Sequence, residues 1–321
     1  MLQELFRIPG TSISIHGYGL MLVFGFILAV QLAKYLARRA KIDPEIFVNA
    51  GLIALVTGVI GARLSHVLEN LSEYTDPSRT AWANFRDAIN VTSGGLTYYG
   101  GFILAFPCTI AYGIFKKVPL RTGMDIMAPC IMIGLGIGRV GCFLNGCCYG
   151  EQCSNLAWGV QFPYYSNAYI DQVQRHEIVP DPKVIGDDGK LMSPDDLRAH
   201  FKSTPGEADK LMASERQKVI KVQPAELYST VTALLLAGLL VAYFSLPHVP
   251  GNVFALMCML EGMSRFLLEM LRVEPPVGPL PLSLSMWLGI GLMISGAILW
   301  FEFSRAGGRN QGGQSIATAM A

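Results

Sequence analysis

The chain has 321 residues, 51% hydrophobic and only 15% charged, with a formal net charge of +1. An average soluble domain carries about 25% charged residues, so the composition excludes a soluble globular protein and indicates several membrane crossings. A charge this close to zero offers no general attraction for nucleic acid, and no nucleic-acid partner is expected.

A membrane helix needs about 20 mostly apolar residues to cross about 30 Å of hydrocarbon. In chain order, seven stretches qualify, near 17–37, 46–68, 96–115, 123–144, 224–244, 252–271 and 282–302. The residues before the first lack the basic start of a cleavable signal peptide, so the first helix is expected to serve as the insertion signal. Lys34, Arg38, Arg39 and Lys41, then Lys116, Lys117 and Arg121, then Arg305 and Arg309 fall on one side, which the positive-inside rule makes cytoplasmic. The opposite short segments hold Arg7, Arg79, Arg86 and Arg272. The expected fold is an all-α polytopic membrane protein of seven transmembrane helices, with its N-terminus outside and its C-terminus inside.

Residues 1–150 carry the first four helices and 223–303 the last three. Between them, 151–222 is an external head, with short strands expected near WGVQFPYY and helices near SPDDLRAHF and ADKLMASERQKVI, because so long a loop seldom lacks structure. Residues 304–321, rich in Gly and Ser, read as a disordered tail.

Ionisable side chains at membrane depth are costly, so each is a functional candidate. Arg63 and His66 lie three apart, on one helix face. Glu261, Arg265 and Glu269 repeat every four residues, also on one face, and Glu226 heads the fifth helix in VQPAELYS. Plainer readings stand beside these: a neutralising ladder for the trio, and an interfacial snorkel for Arg63. Arg139 sits among small residues in GLGIGRVG; helix packing explains the glycines but not the arginine.

Arginines converging beneath an external head match phosphate, because the guanidinium fork fits its oxygens and gains strength where water is excluded. A phospholipid headgroup is the nearest phosphate. The stretch GRVGCFLNGCCYG, 138–150, then reads as a headgroup pocket. Arg139 meets phosphate, Asn145 offers an amide to glycerol or ester oxygens, and Gly146 and Gly150 allow close approach beside Cys142. Cys142, Cys147, Cys148 and Cys153 form C-x4-C-C-x4-C, which matches neither the usual zinc spacing nor the common iron–sulfur runs, so no metal and no cofactor are expected. A disulfide from Cys153 to Cys147 or Cys148 and small thiols packed among glycines are the other readings.

HGYGLMLVFGFILA, GARLSHVL, SGGLTYYGGFILA, GLGIGRVGCFLNGCCYG, WGVQFP, QPAELYS and MSRFLLEMLR follow one another from about residue 16 to 302. This series resembles the bacterial prolipoprotein diacylglyceryl transferase family. The resemblance implies a seven-helix enzyme of the bacterial inner membrane with a periplasmic head. Its implied reaction moves the diacylglyceryl group of phosphatidylglycerol onto the lipobox cysteine of a preprolipoprotein signal peptide and releases glycerol phosphate. It also implies that Tyr18, Arg139, Asn145, Gly150 and Arg265 serve substrate and catalysis, with Glu269 as a supporting acid. Many members carry histidine at Tyr99, asparagine at Cys142, glutamate at Cys147, tyrosine at Glu261 and histidine at Gln223, so this chain reads as a cysteine-rich subfamily.

Thioether formation requires a thiolate, and a free thiol titrates near about 8.5. Negative charge grows on the departing phosphate, where Arg139 and Arg265 would favour the transition state over the ground state. Tyr99 is a candidate base only with an arginine beside it, because a phenol titrates near about 10; His16, His66 and Glu261 are its rivals. Tyr99 also suits an interfacial aromatic belt. Two other readings use the same helices: a lipid-binding or lipid- and anion-transporting protein, and a paralogue with the same donor but another acceptor.

Overall fold

The computed structural model describes residues 4–7, 14–75, 80–90, 97–153, 156–202, 204–272 and 282–319. Strands β1 (Glu4–Arg7) and β2 (Ser14–His16) pair antiparallel, with Phe6 opposite Ile15, a hairpin that hydropathy does not announce. Helices follow in order: α1 (Gly17–Arg39), α2 (Pro44–Glu69), α3 (Leu71–Tyr74), α4 (Ala81–Ile89), α5 (Tyr98–Phe115), α6 (Leu120–Asn145), α7 (Asn167–Gln174), α8 (Pro194–His200), α9 (Pro205–Lys218), α10 (Ala225–Phe244), α11 (Asn252–Glu269) and α12 (Leu284–Ala319).

Each of the seven apolar stretches is a helix, and five of them are long and apolar enough to cross a membrane: α1, α2, α6, α10 and the Leu284–Ala306 part of α12. Helices α5 and α11 have 18 residues each, and α11 interrupts its apolar run with Glu261, Arg265 and Glu269. The chain is a multi-pass membrane protein. Its last helix continues to Ala319, through the stretch that composition marks as a tail.

The chain forms two compact units. Residues 30–127 make the smaller. There α2 and α5 cross backbone to backbone: a methyl on Gly61 would meet the Leu104 Cβ at 2.8 Å, and one on Gly101 the Gly58 carbonyl oxygen at 2.9 Å. Small residues are what let membrane helices approach this closely. Thr97 ties the start of α5 to α2, its N–H donating to the Ala62 carbonyl at 3.0 Å and its hydroxyl to Glu69 at 2.9 Å. Helix α4 is capped by the Thr80 hydroxyl, which accepts from the Ala83 N–H. It exposes Trp82, Phe85 and Ile89, three and four residues apart and therefore one stripe.

The larger unit joins residues 1–29 to 128–321. Its helical core packs Ala128 and Met132 of α6 with Ala237 and Leu240 of α10 and Val253, Met257 and Cys258 of α11. Helices α11 and α12 meet at Gly262 and Gly289, where a methyl on Gly262 would lie 2.5 Å from the Gly289 carbonyl oxygen. The head has its own core around Tyr164, Tyr169, Val184, Leu197, Ala208 and Val219. The two helical pieces expected in it are α8 and α9. The strands expected near WGVQFPYY reduce to single bridges, Val160 and Gln152 each pairing with Val222. The segment carries Gly159 and Pro163, and proline cannot extend a ladder. Burial raises the phenol pKa of Tyr164 to about 12. Tyr169 is also raised, by burial and then by its hydrogen bond to the buried Glu215 carboxylate at 2.6 Å.

Candidate active site

Helix α6 ends in a glycine cap. Gly146 takes φ +71°, its N–H donates to the Phe143 carbonyl at 3.3 Å, and the Cys147 N–H reaches back to the Cys142 carbonyl at 3.2 Å. Those two bonds are the paired C-terminal pattern that a left-handed residue creates. The turn carries the chain back over the last helical turn, and the sulfurs of Cys142, Cys147 and Cys148 lie within 4.8 Å of one another. All seven cysteines are free thiols; buried Cys153 packs at Gly159 and is not one of that group.

Gly146 and Gly150 therefore have reasons within the chain for being glycine. A side chain at Gly146 would crowd Phe162 and Ser166 at 3.1 Å. At Gly150 it would meet the Leu271 carbonyl at 2.7 Å, because the Gly150 N–H donates to Gln223 at 2.8 Å and the Glu151 N–H to Leu271 at 2.9 Å. The close approach that glycine permits here is between two stretches of backbone. It stitches the end of the 138–150 stretch to the starts of α10 and the end of α11.

Beside this turn, α6, α10, α11 and α12 enclose a small cavity lined by Arg139, Cys148, Glu226, Glu261, Arg265, Glu269, Arg272 and Ser285. The fourfold spacing along α11 does bring Glu261, Arg265 and Glu269 to one face, together with Arg272. Among the described residues no hydrogen bond engages the Arg139 guanidinium, whose charge, with that of Arg265, bears on Glu261. Ser285 of α12 accepts from Arg265 Nε at 3.0 Å. Glu269, 4% exposed, accepts from the Ser283 hydroxyl at 3.0 Å and pairs with Arg272 at 3.4 Å. Glu226 is 1% exposed, and neither carboxylate oxygen has a hydrogen-bond partner among the described residues. The free volume is about 30 Å³, room for about one or two waters.

Tyr18 packs its ring against Gly141 and lies within electrostatic reach of the three thiols and Arg139. The Asn145 side chain contacts the Cys147 thiol. The sequence marks Arg272 only as a loop charge and does not mark Ser285; Glu226 stands there as a costly ionisable residue and Cys148 as a disulfide candidate, without the cavity that joins them. The signal for Arg272 was its place three residues after Glu269 and seven after Arg265, which continues the same face past the end of α11.

Cys148 and Arg272 also line a second cavity, of about 540 Å³, that opens into the head between Tyr149, Gln152, Asp171, Arg175 and Glu177. The Tyr149 hydroxyl donates to Asp171 at 2.5 Å, and burial, then that carboxylate, raises its pKa.

Arg63, His66 and Tyr99 belong to the smaller unit. Arg63 is 6% exposed and caps a helix: Nε donates to the Ala88 carbonyl at 2.8 Å and an Nη to the Asp87 carbonyl at 2.6 Å, both at the end of α4. Its guanidinium carbon stands 5.2 Å from the Tyr74 ring centre. His66 meets the same ring edge-on at 6.1 Å and lies 3.4 Å from the Asn70 amide. Tyr99 is exposed in the first turn of α5. The His16 side chain and residues 93–96 of the third-helix motif lie outside the described residues.

The sequence profile of the prolipoprotein diacylglyceryl transferase family matches residues 3–302. Curated relatives named phosphatidylglycerol–prolipoprotein diacylglyceryl transferase include one from Clostridium tetani, 22% identical over 300 residues, which are 94% of this chain and 97% of the relative. One from Corynebacterium glutamicum is 28% identical over 267 residues, 82% of this chain and 71% of the relative. One from Rhodopirellula baltica is 31% identical over 168 residues, 52% of this chain; the chain spans about a third, 34%, of that relative's length.

Proposed function

Because the chain belongs to the prolipoprotein diacylglyceryl transferase family, we propose that it transfers the diacylglyceryl group of phosphatidylglycerol to the lipobox cysteine thiol of preprolipoproteins, with glycerol phosphate as the leaving product. The observation that carries this reading is the convergence of Arg139 and Arg265 on one buried cavity, with the Arg139 guanidinium in no hydrogen bond among the described residues. Guanidinium groups preorganised around a departing phosphate favour the transition state, where its charge is greatest. Membership of a transferase family favours turnover over the binding or transport reading.

In this reading Arg139 and Arg265 hold the phosphate, Ser285 orients Arg265, and Glu269 orients Arg272. Asn145 and Tyr18 border the glycerol side, with Cys142, Gly146 and Gly150 shaping the turn that carries them. The thiol attacks a glyceryl carbon, the carbon–oxygen bond to phosphate breaks, and the thiol proton passes to a base. Glu261 is the base the cavity offers; Tyr99 is its rival in the smaller unit. Arg63 acts at one remove, by holding the end of α4, and His66 by packing on Tyr74 of α3. The acceptor peptide approaches through the head cavity, which shares Cys148 and Arg272 with the arginine cavity.

All seven apolar helices cross the bacterial inner membrane, α5 and α11 included, with the N-terminus and the 151–222 head periplasmic and the C-terminus cytoplasmic. The excess of Lys and Arg after α1, α5 and α12 supports this orientation.

The test is release of glycerol phosphate from phosphatidylglycerol by the purified protein with a lipobox peptide, compared with Arg139→Ala, Arg265→Ala, Glu261→Gln and Tyr99→Phe. Product that disappears with either arginine supports the reading, and the last two variants assign the base. Lipid bound but never consumed with any lipobox peptide overturns it.

A further inference from the structure

The three thiols at the end of α6 are unused by the reaction above, and their arrangement is specific. A tetrahedral zinc ion with sulfur ligands at about 2.3 Å spaces those sulfurs by about 3.8 Å. Cys142, Cys147 and Cys148 already hold theirs within 4.8 Å. Closing on an ion needs shifts below about 1 Å, which side-chain torsions supply. The backbone is preset by the glycine cap, since the hydrogen bond from Cys147 to Cys142 fixes one pair and φ +69° at Cys148 turns the third thiol toward the same point.

We propose that Cys142, Cys147 and Cys148 bind one thiophilic divalent cation of the zinc class. Three thiolates select a soft or borderline ion over magnesium or calcium. With a divalent ion they carry a formal charge of about −1, and the guanidinium charges of Arg139 and Arg272 bear on Cys148, which offsets the cost of that charge at membrane depth. Three protein ligands leave the fourth position open, the pattern of reactive rather than purely structural zinc sites. Cys148 lines both cavities, so the open position faces the space where water or an incoming thiol completes the tetrahedron. The site rests first on the geometry of the three sulfurs and does not depend on the transferase reading. The sequence spacing hides it, because C-x4-C-C becomes a ligand set only through the reversal at Gly146.

The test uses the full-length protein in detergent, purified with its thiols reduced and without chelator. Metal analysis is followed by removal of bound metal and titration with cobalt(II). The expected result is about one equivalent bound, with thiolate-to-cobalt charge-transfer absorption. Cys142→Ser, Cys147→Ser and Cys148→Ser should each weaken cobalt binding beyond the roughly 10- to 100-fold that changes around a metal's ligands cost, whereas Cys153→Ser and Cys258→Ser leave it unchanged. The wild-type titration decides the matter even where a variant folds poorly. Absence of the charge-transfer band with all thiols titratable overturns the proposal. So does a band that survives in the three serine variants, or a disulfide between two of the three in protein isolated without reductant. Glycerol phosphate release is scored separately, so a metal-free active enzyme and a metal-binding inactive one are distinguishable.

Discussion

Glu269 and Arg272 form an ion pair at 3.4 Å where α11 ends, and the second Glu269 oxygen accepts from Ser283 just before α12. One carboxylate thus holds a cavity arginine and the approach to the next helix. Glu269→Gln keeps an acceptor for Ser283 but removes the charge. Breaking a buried pair leaves the partner's charge uncompensated, and because Arg272 retains some exposure the expected loss is about 3 kcal/mol, at the lower end for such pairs. Thermal unfolding in detergent measures it, and Ser283→Ala should cost less.

Arg139→Lys keeps the charge at membrane depth but loses the planar fork. A drop in kcat of about 10²–10³-fold is expected for Arg139→Ala, comparable to removal of one preorganised donor, with lysine between. An Arg139→Lys enzyme as fast as the parent would show that charge alone suffices. Glycerol phosphate release reads both.

Gly146→Ala places a Cβ at φ +71° against Phe162 and Ser166. The left-handed conformation alone costs about 1–2 kcal/mol, and the head core would have to yield as well. A lowered Tm is expected, with cobalt binding weakened in parallel because the same turn sets the sulfurs.

Alkaline pH should destabilise the head. Tyr164 and Tyr169 titrate higher when folded than an unfolded tyrosine, near about 10, with Tyr164 at about 12. Below about pH 10 both states keep the proton and stability is full. Between about 10 and about 12 the unfolded chain releases protons that the folded head retains, so stability falls. Unfolding scans across that range check the slope, and Tyr164→Phe should flatten it.

Hydropathy located seven apolar helices, five of them long and apolar enough to cross a membrane, because crossing lipid demands continuous apolar runs whatever their partners. The α11 face was legible for a similar reason: fourfold spacing is a property of one helix. What remained hidden depends on contacts distant in sequence. Arg63 became a cap for α4 because that helix ends beside it, 24 residues downstream, which no local pattern records. The thiol cluster needed one glycine's dihedral angle, and the β1–β2 hairpin a pairing of two strands too short to show alternation. Gly150 reads as a ligand contact in the sequence, and in the fold it also marks where the chain touches itself.

Arg63 and the Trp82, Phe85, Ile89 stripe of α4 together have a geometric outcome. Two hydrogen bonds from a single guanidinium moor this nine-residue helix and its oily side to α2. The stripe is thereby held at a fixed height along α2, level with the end of α4, by a tether of one side chain.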